Sequence, residues 1–199
     1  MLLRYFEINF IKLVYGRFDI RFVKRFTELY GISPYYFKHE IPTEVDYRDW
    51  IDLKSEEGFE LNSNVANALK VNFKLTAKIK EAFKYFGKPE SMDYYSSARG
   101  MTLTYIFRSS IIPNLTGRAK LRLLCLNNHI VALRIFRNTI SPDPDIACRA
   151  KKEILKQLLG SSFNYNPDGN QLFIDSSTGI GVKILDSIID YDIMVFVKS

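Results

Sequence analysis

Sulfur, imidazole and indole are scarce in this 199-residue chain, which has two cysteines, two histidines and one tryptophan. The histidines are His39 and His129, and the cysteines Cys125 and Cys148. They do not fall at zinc-ligand spacing, and there is no Gly-rich phosphate loop and no GxSxG elbow. No stretch approaches the roughly 18 uninterrupted apolar residues of a membrane span. The opening MLLRYFEINFIKLVYGRF is apolar, but Glu7 and Lys12 interrupt it and no small-residue cleavage site follows, so a signal peptide is not expected. Cys125 in the apolar run LRLLCL and Cys148 beside Ala147 read as two reduced, buried thiols, with a single disulfide as the alternative. A cytoplasmic location is the expectation.

His129 lies four residues from Cys125 across an Asn127-Asn128 turn, the one arrangement that invites a thiol–imidazole reading. No third group orients such a pair, and a packed Cys beside an exposed turn His accounts for both. Carboxylate groups occur at Glu56/Glu57, Asp143/Asp145 and Asp186/Asp190/Asp192. The Asp143 pair suits a helix N-terminus, and the last group lacks the glycine and spacing of a calcium loop. The expectation is a protein that is not an enzyme and needs no cofactor or metal.

What is present is ordinary globular composition, 47% hydrophobic and 25% charged, with an uneven charge layout. Residues 1–63 hold 9 Lys/Arg against 11 Asp/Glu, and residues 139–199 hold 6 against 8. Residues 64–138 hold 13 against 3, so the whole positive excess lies there.

Several elements are legible. Asp19 reads as an N-cap with Phe18 and Val23 as a hydrophobic staple, and Gly31 as the stop. Tyr5 to Leu13 fits strand or helix. Tyr35 to Gly58 reads as irregular, with short strands at most, and Phe59 and Leu61 as a short strand. Leu69, Val71, Phe73 and Leu75 alternate with polar residues, which predicts a strand. Thr76 is placed to cap a helix carrying Ile79, Ala82, Phe83 and Phe86 and ending at Gly87. A hairpin follows, with arms Asp93–Ser96 and Met101–Phe107, then strands Lys120–Leu126 and Ile130–Phe136 around Asn127-Asn128. Asp143 with Pro144 starts a second helix, striped by Ala147, Ala150, Ile154 and Leu158 and ending at Gly160. Strands at Gln171–Asp175, Val182–Leu185 and Asp192–Val197 complete the chain.

The fold class is α+β: two helix-plus-antiparallel-meander units with an N-terminal helical segment. The divisions fall at 1–63, 64–138 and 139–199, expected to form one body. Gly87 corresponds to Gly160 and Gly100 to Gly169, so the second unit reads as an internal repeat of the first. Each sheet is expected to bury one face under its own helix.

A helix ending in Phe86-Gly87-Lys88-Pro89 and followed by a meander resembles the unit of the β-lactamase inhibitor proteins and related small bacterial envelope lipoproteins. It also resembles bacterial immunity proteins that neutralise toxins. The resemblance covers roughly residues 69–199. It implies a sheet and loops that clamp a partner protein, and it carries over no individual contact residue. The lipoprotein signal and anchoring Cys of those families have no counterpart here.

The candidate partner-binding residues lie mainly in the basic segment: Lys70, Lys74, Lys80, Lys84, Lys88, Arg99 and Arg122, with Tyr94, Tyr95 and Trp50 as aromatic anchors. Lys at alternate positions is also how a strand or helix stays soluble, so a purely solvated face is the competing reading. The partner expected is a protein with an acidic surface, blocked as an immunity protein blocks a toxin. Two alternatives stand: a nucleic-acid-binding accessory protein that stacks bases on Tyr94, Tyr95 and Tyr105, and a structural component of a phage or secretion assembly.

Overall fold

The computed structural model describes residues 2–35, 43–55, 57, 59–60, 75–107, 119–137, 143–146, 149, 152, 172–175, 179–186 and 191–198. The opening segment is helix α1 (Leu2–Tyr15). At Asp19 the backbone is extended (φ −84°, ψ 135°), and the carboxylate accepts the Arg21 amide at 2.8 Å. That satisfies one of the amides a first turn leaves open. Helix α2 (Ile20–Tyr30) follows, and Gly31 ends it at φ 70° while donating to the Thr27 carbonyl. Phe18 and Val23 join one core, as a staple should. A Glu7–Arg25 ion pair at 2.8 Å ties α1 to α2.

Residues read as irregular form helix α3 (Thr43–Ser55), which corrects that expectation. Its buried side chains are Asp46, Tyr47, Trp50 and Leu53, one helical stripe in which an acid holds a core position. Strand β1 (Phe59–Glu60) comes next. Of the strand expected at Leu69–Leu75, residues 69–74 lie outside the described residues and Leu75 stands in a turn.

Thr76 does not cap helix α4 (Ile79–Phe86); the N-cap is Lys78, without a side-chain bond. Thr76 sits at φ 83° and its amide donates to the Ile130 carbonyl at 2.8 Å. The Ile130 amide donates to the Ala77 carbonyl at 2.9 Å, and the Ile79 amide to the Asn128 carbonyl at 3.1 Å. The backbone entering α4 is stitched to a hairpin tip, and this sets where the helix begins.

The strands that follow are β2 (Ser91–Tyr95), β3 (Gly100–Phe107), β4 (Ala119–Leu126), β5 (His129–Arg137), β6 (Leu172–Asp175), β7 (Ile180–Asp186) and β8 (Tyr191–Val197). Asn127 and Asn128 both take positive φ, 47° and 68°, the conformation a two-residue hairpin turn requires. All eight strands form one sheet in the order β1-β6-β7-β8-β5-β4-β3-β2. Every pairing is antiparallel except β1 with β6.

The two meanders therefore share a single sheet rather than building one each. They join where β5 pairs with β8, Leu133 opposite Val195. The first meander supplies four strands. Beside β6, β7 and β8 the fourth place is taken by β1, which comes from before the first unit. Of the second helix, residues 144–146 are helical and the Asp143 carboxylate accepts the Asp145 amide at 2.9 Å, the capping role expected of it. Its apolar stripe and Gly160 lie outside the described residues, as does Gly169.

Alternation along each strand divides the side chains between two layers. Leu103, Leu123, Ile135 and Val195 form one core with Ile8 of α1, Val23 of α2 and Ile79 and Ala82 of α4. Leu124, Ala132, Met194 and Phe196 form the other, with Tyr47, Trp50 and Leu53 of α3. Helices cover both faces, whereas one covered face was expected.

Candidate partner-binding surface

Arg122 and Arg134 stand directly opposite each other on β4 and β5. Like charges so placed repel unless an anion intervenes. Asp46 of α3 supplies it: one carboxylate oxygen lies 2.8 Å from an Arg122 nitrogen, the other 2.9 Å from Arg134. Asp49, one helical turn on, lies 3.0 Å from the same Arg134 nitrogen. Arg122 is 2% exposed, so its placement among partner contacts is corrected: it belongs to the layer under α3. Trp50 is corrected for the same reason. It is buried with its ring edge-on to Tyr47 and Lys54 lying over it.

Tyr47 locks α3 at an irregularity in the sheet. The β4–β5 register shifts between Leu124 and Cys125. There the Tyr47 hydroxyl lies 2.8 Å from the Cys125 carbonyl and 3.0 Å from that of Met101, and accepts the Cys125 amide at 3.3 Å. Gly100 makes room: a Cβ there would overlap the Tyr47 ring. Burial pushes the Tyr47 hydroxyl well above its ordinary pKa, so it stays a neutral donor.

The remaining candidates separate cleanly. Lys80 and Lys84 on α4 and Lys88 just beyond it are all exposed, with Lys78 beside them at the N-cap. Among the described residues none of the four forms an ion pair. Their spacing works against the helix. Lys80 and Lys84 are like charges at i,i+4 on the helix. Lys78 and Lys80 also sit at the end of α4 where the helix dipole is positive. Tyr85 is half-exposed on the same helix. Arg99 is exposed in the β2–β3 turn at φ 51°. Gly100 pairs with Leu126, and Lys78 bridges to His129, so Arg99 and the start of α4 lie at the same end of the sheet.

The tyrosines do not make a stacking row. Tyr94 packs against the core under α2, with Lys24 5.5 Å above its ring. Tyr95 points to the opposite face and stacks on Tyr47 at 5.7 Å. Tyr105 is buried, its hydroxyl donating to the Gly87 carbonyl at 3.4 Å. Lys70 and Lys74 lie outside the described residues.

The Cys125 thiol is buried, and burial pushes its pKa far up. His129 is exposed and donates from Nδ1 to the Asn127 carbonyl at 3.0 Å. Cys125 pairs with Ile130 and Leu126 with His129, so the two are not a couple. Among the described residues no group of three or more His, Cys, Asp or Glu could hold a metal ion, and no helix is long and apolar enough to cross a membrane.

No protein-family model matches this chain, and neither the curated proteins nor the solved structures contain a match.

Proposed function

We propose that this is a non-enzymatic binding protein of the inhibitor or immunity type, which receives an acidic surface of a partner protein on the ridge Lys78, Lys80, Lys84 and Lys88. The observation that carries the reading is the contrast among cations. Arg122 and Arg134 in the sheet are neutralised by carboxylates, while Lys80 and Lys84 stay exposed against their mutual repulsion, and Lys78 and Lys80 against the dipole at the start of α4. Solubility alone needs neither the i,i+4 spacing nor lysine at the positive end of a helix. Arg99 extends the ridge at the hairpin end, and Tyr85 replaces Trp50 as the aromatic anchor. The resemblance in element order to inhibitor and immunity proteins supports the same reading.

The test is capture of partners from the source lysate, with and without nuclease, followed by binding kinetics. A stoichiometric protein partner that survives nuclease is expected. Lys80→Glu/Lys84→Glu/Lys88→Glu should then lower its association rate by about 10- to 100-fold, with an effect that fades at high salt. Recovery of nucleic acid alone, or a rate unchanged by the triple reversal, overturns the reading.

A further inference from the structure

Helix α1 is apolar on two sides. Ile8 is buried and Ile11 half-buried against the core shared with α2. On the outer side Leu3, Phe6, Phe10 and Leu13 are 87%, 65%, 63% and 85% exposed. Their spacing of three, four and three residues lines them along one stripe, the pattern of a helix–helix seam. Val14 widens the stripe and is also exposed. A turn of about 100° per residue carries Arg4 and Lys12 away to its far flanks. Glu7 is drawn across to Arg25. A helix apolar on two opposite sides belongs between two partners, and a folded chain seldom leaves so continuous an apolar patch to water.

We propose that α1 pairs with α1 of a second copy of this chain, antiparallel across a two-fold axis, with Leu3, Phe6, Phe10 and Leu13 as the seam. Three observations choose this occupant. The stripe is a palindrome in residue type and in spacing, Leu-Phe-Phe-Leu at three, four, three. Reversed, it presents Leu13 to Leu3 and Phe10 to Phe6, which is the self-complementarity a two-fold interface demands. The four side chains offer on the order of 500 Å² per copy, so a symmetric pair buries about 1,000 Å², the lower edge of a specific interface. The stripe also lacks the adjoining lysines and arginines with which a membrane-surface helix grips anionic lipid. It is bordered instead by Asn9 and the already paired Glu7. This surface is separate from the α4 ridge and does not rest on it.

Sedimentation equilibrium of the full chain, from about 1 to about 100 μM, tests the proposal. The expected mass rises with concentration toward twice the 23.1 kDa chain. Phe6→Glu/Phe10→Glu should stay monomeric throughout, and so should Leu3→Glu/Leu13→Glu. Unchanged circular dichroism and melting would show that both variants fold, as the exposure of these side chains predicts. Lys80→Glu/Lys84→Glu/Lys88→Glu should leave the dimer intact. A wild-type monomer across the range overturns the proposal, as does a dimer that survives both outer-face variants. Co-sedimentation of a monomeric chain with phosphatidylcholine–phosphatidylglycerol vesicles overturns it in favour of a lipid occupant.

Discussion

The two faces of the sheet are held by different physics. Under α1, α2 and α4 the buried side chains are aliphatic, sulfur-bearing and aromatic, with Leu103, Leu123 and Ile79 in one core. Under α3 the apolar patch of Leu124, Met194 and Phe196 adjoins buried polar and charged side chains. The strand registers set Ser91, Thr104, Arg122, Arg134, Met194 and Lys183 side by side across six strands. An apolar face tolerates small slips of a helix, because one methyl contact replaces another. A carboxylate that must meet two guanidinium groups does not. Asp46 therefore gives α3 one position, and the Tyr47 ring over Gly100 gives it one depth.

The sharpest way to break this comparison is to remove the bridging anion. Asp46→Ala leaves two buried guanidinium groups short of a partner and should cost about 3–5 kcal/mol in urea unfolding. Asp46→Leu/Arg122→Met/Arg134→Met should recover most of that loss, since a matched apolar replacement strands no charge. If Asp46→Ala costs less than about 1 kcal/mol, the polar row is not what seats the helix. Leu123→Ala on the opposite face should cost about 2–5 kcal/mol, with no such rescue by a second charge change.

A smaller effect is expected at Gly100. Gly100→Ala forces the Tyr47 ring outward, and about 1–3 kcal/mol should be lost by overpacking. Pairing it with Tyr47→Leu should relieve part of the clash. Thermal melts of the two variants would show whether the ring fixes the depth of α3.

The smallest effect concerns α2, on the apolar side. Arg21 hydrogen-bonds the Asp19 carboxylate and holds its pKa below the ordinary value of 3.8, and the Arg21 and Phe22 amides lower it further. A depressed folded pKa means stabilisation that is present above the ordinary value and lost as pH falls through the depressed one. Asp19→Ala should therefore cost about 1 kcal/mol at neutral pH and less in strong acid. A penalty independent of pH would show that the charge of the cap contributes nothing.

Much of the fold was legible because local signals agreed. Asp19 and Gly31 bracket α2, and Asn127-Asn128 joins two alternating runs. α3 was not legible, because its buried stripe contains Asp46. An acid reads as surface until its partners are known, and one of them, Arg134, lies 88 residues away. The same blindness grouped Arg122 with Lys80 and Lys84. In a strand covered on both faces, a Leu-Arg-Leu alternation no longer separates core from water. Thr76 looked like a cap because nothing local shows that its amide is taken by Ile130. The exposure of Lys80 and Lys84 was readable, since α4 has a single buried face. The outer face of α1 was not, because a helix with two apolar sides does not say which of them the protein uses.

The place of α3 in the chain has a consequence for biosynthesis. It leaves the ribosome ahead of every strand it rests on, and its floor is assembled from β4, β5, β6 and β8. Until β8 is made, Trp50 and Tyr47 have no complete surface to cover and Asp46 has no settled pair of guanidinium groups. Contacts this distant in sequence close late and slow folding. A nascent chain halted before β8 would carry exposed indole and phenol rings, features that invite aggregation or chaperone capture. The helix that locks the finished sheet is thus made long before the surface that will shelter its rings.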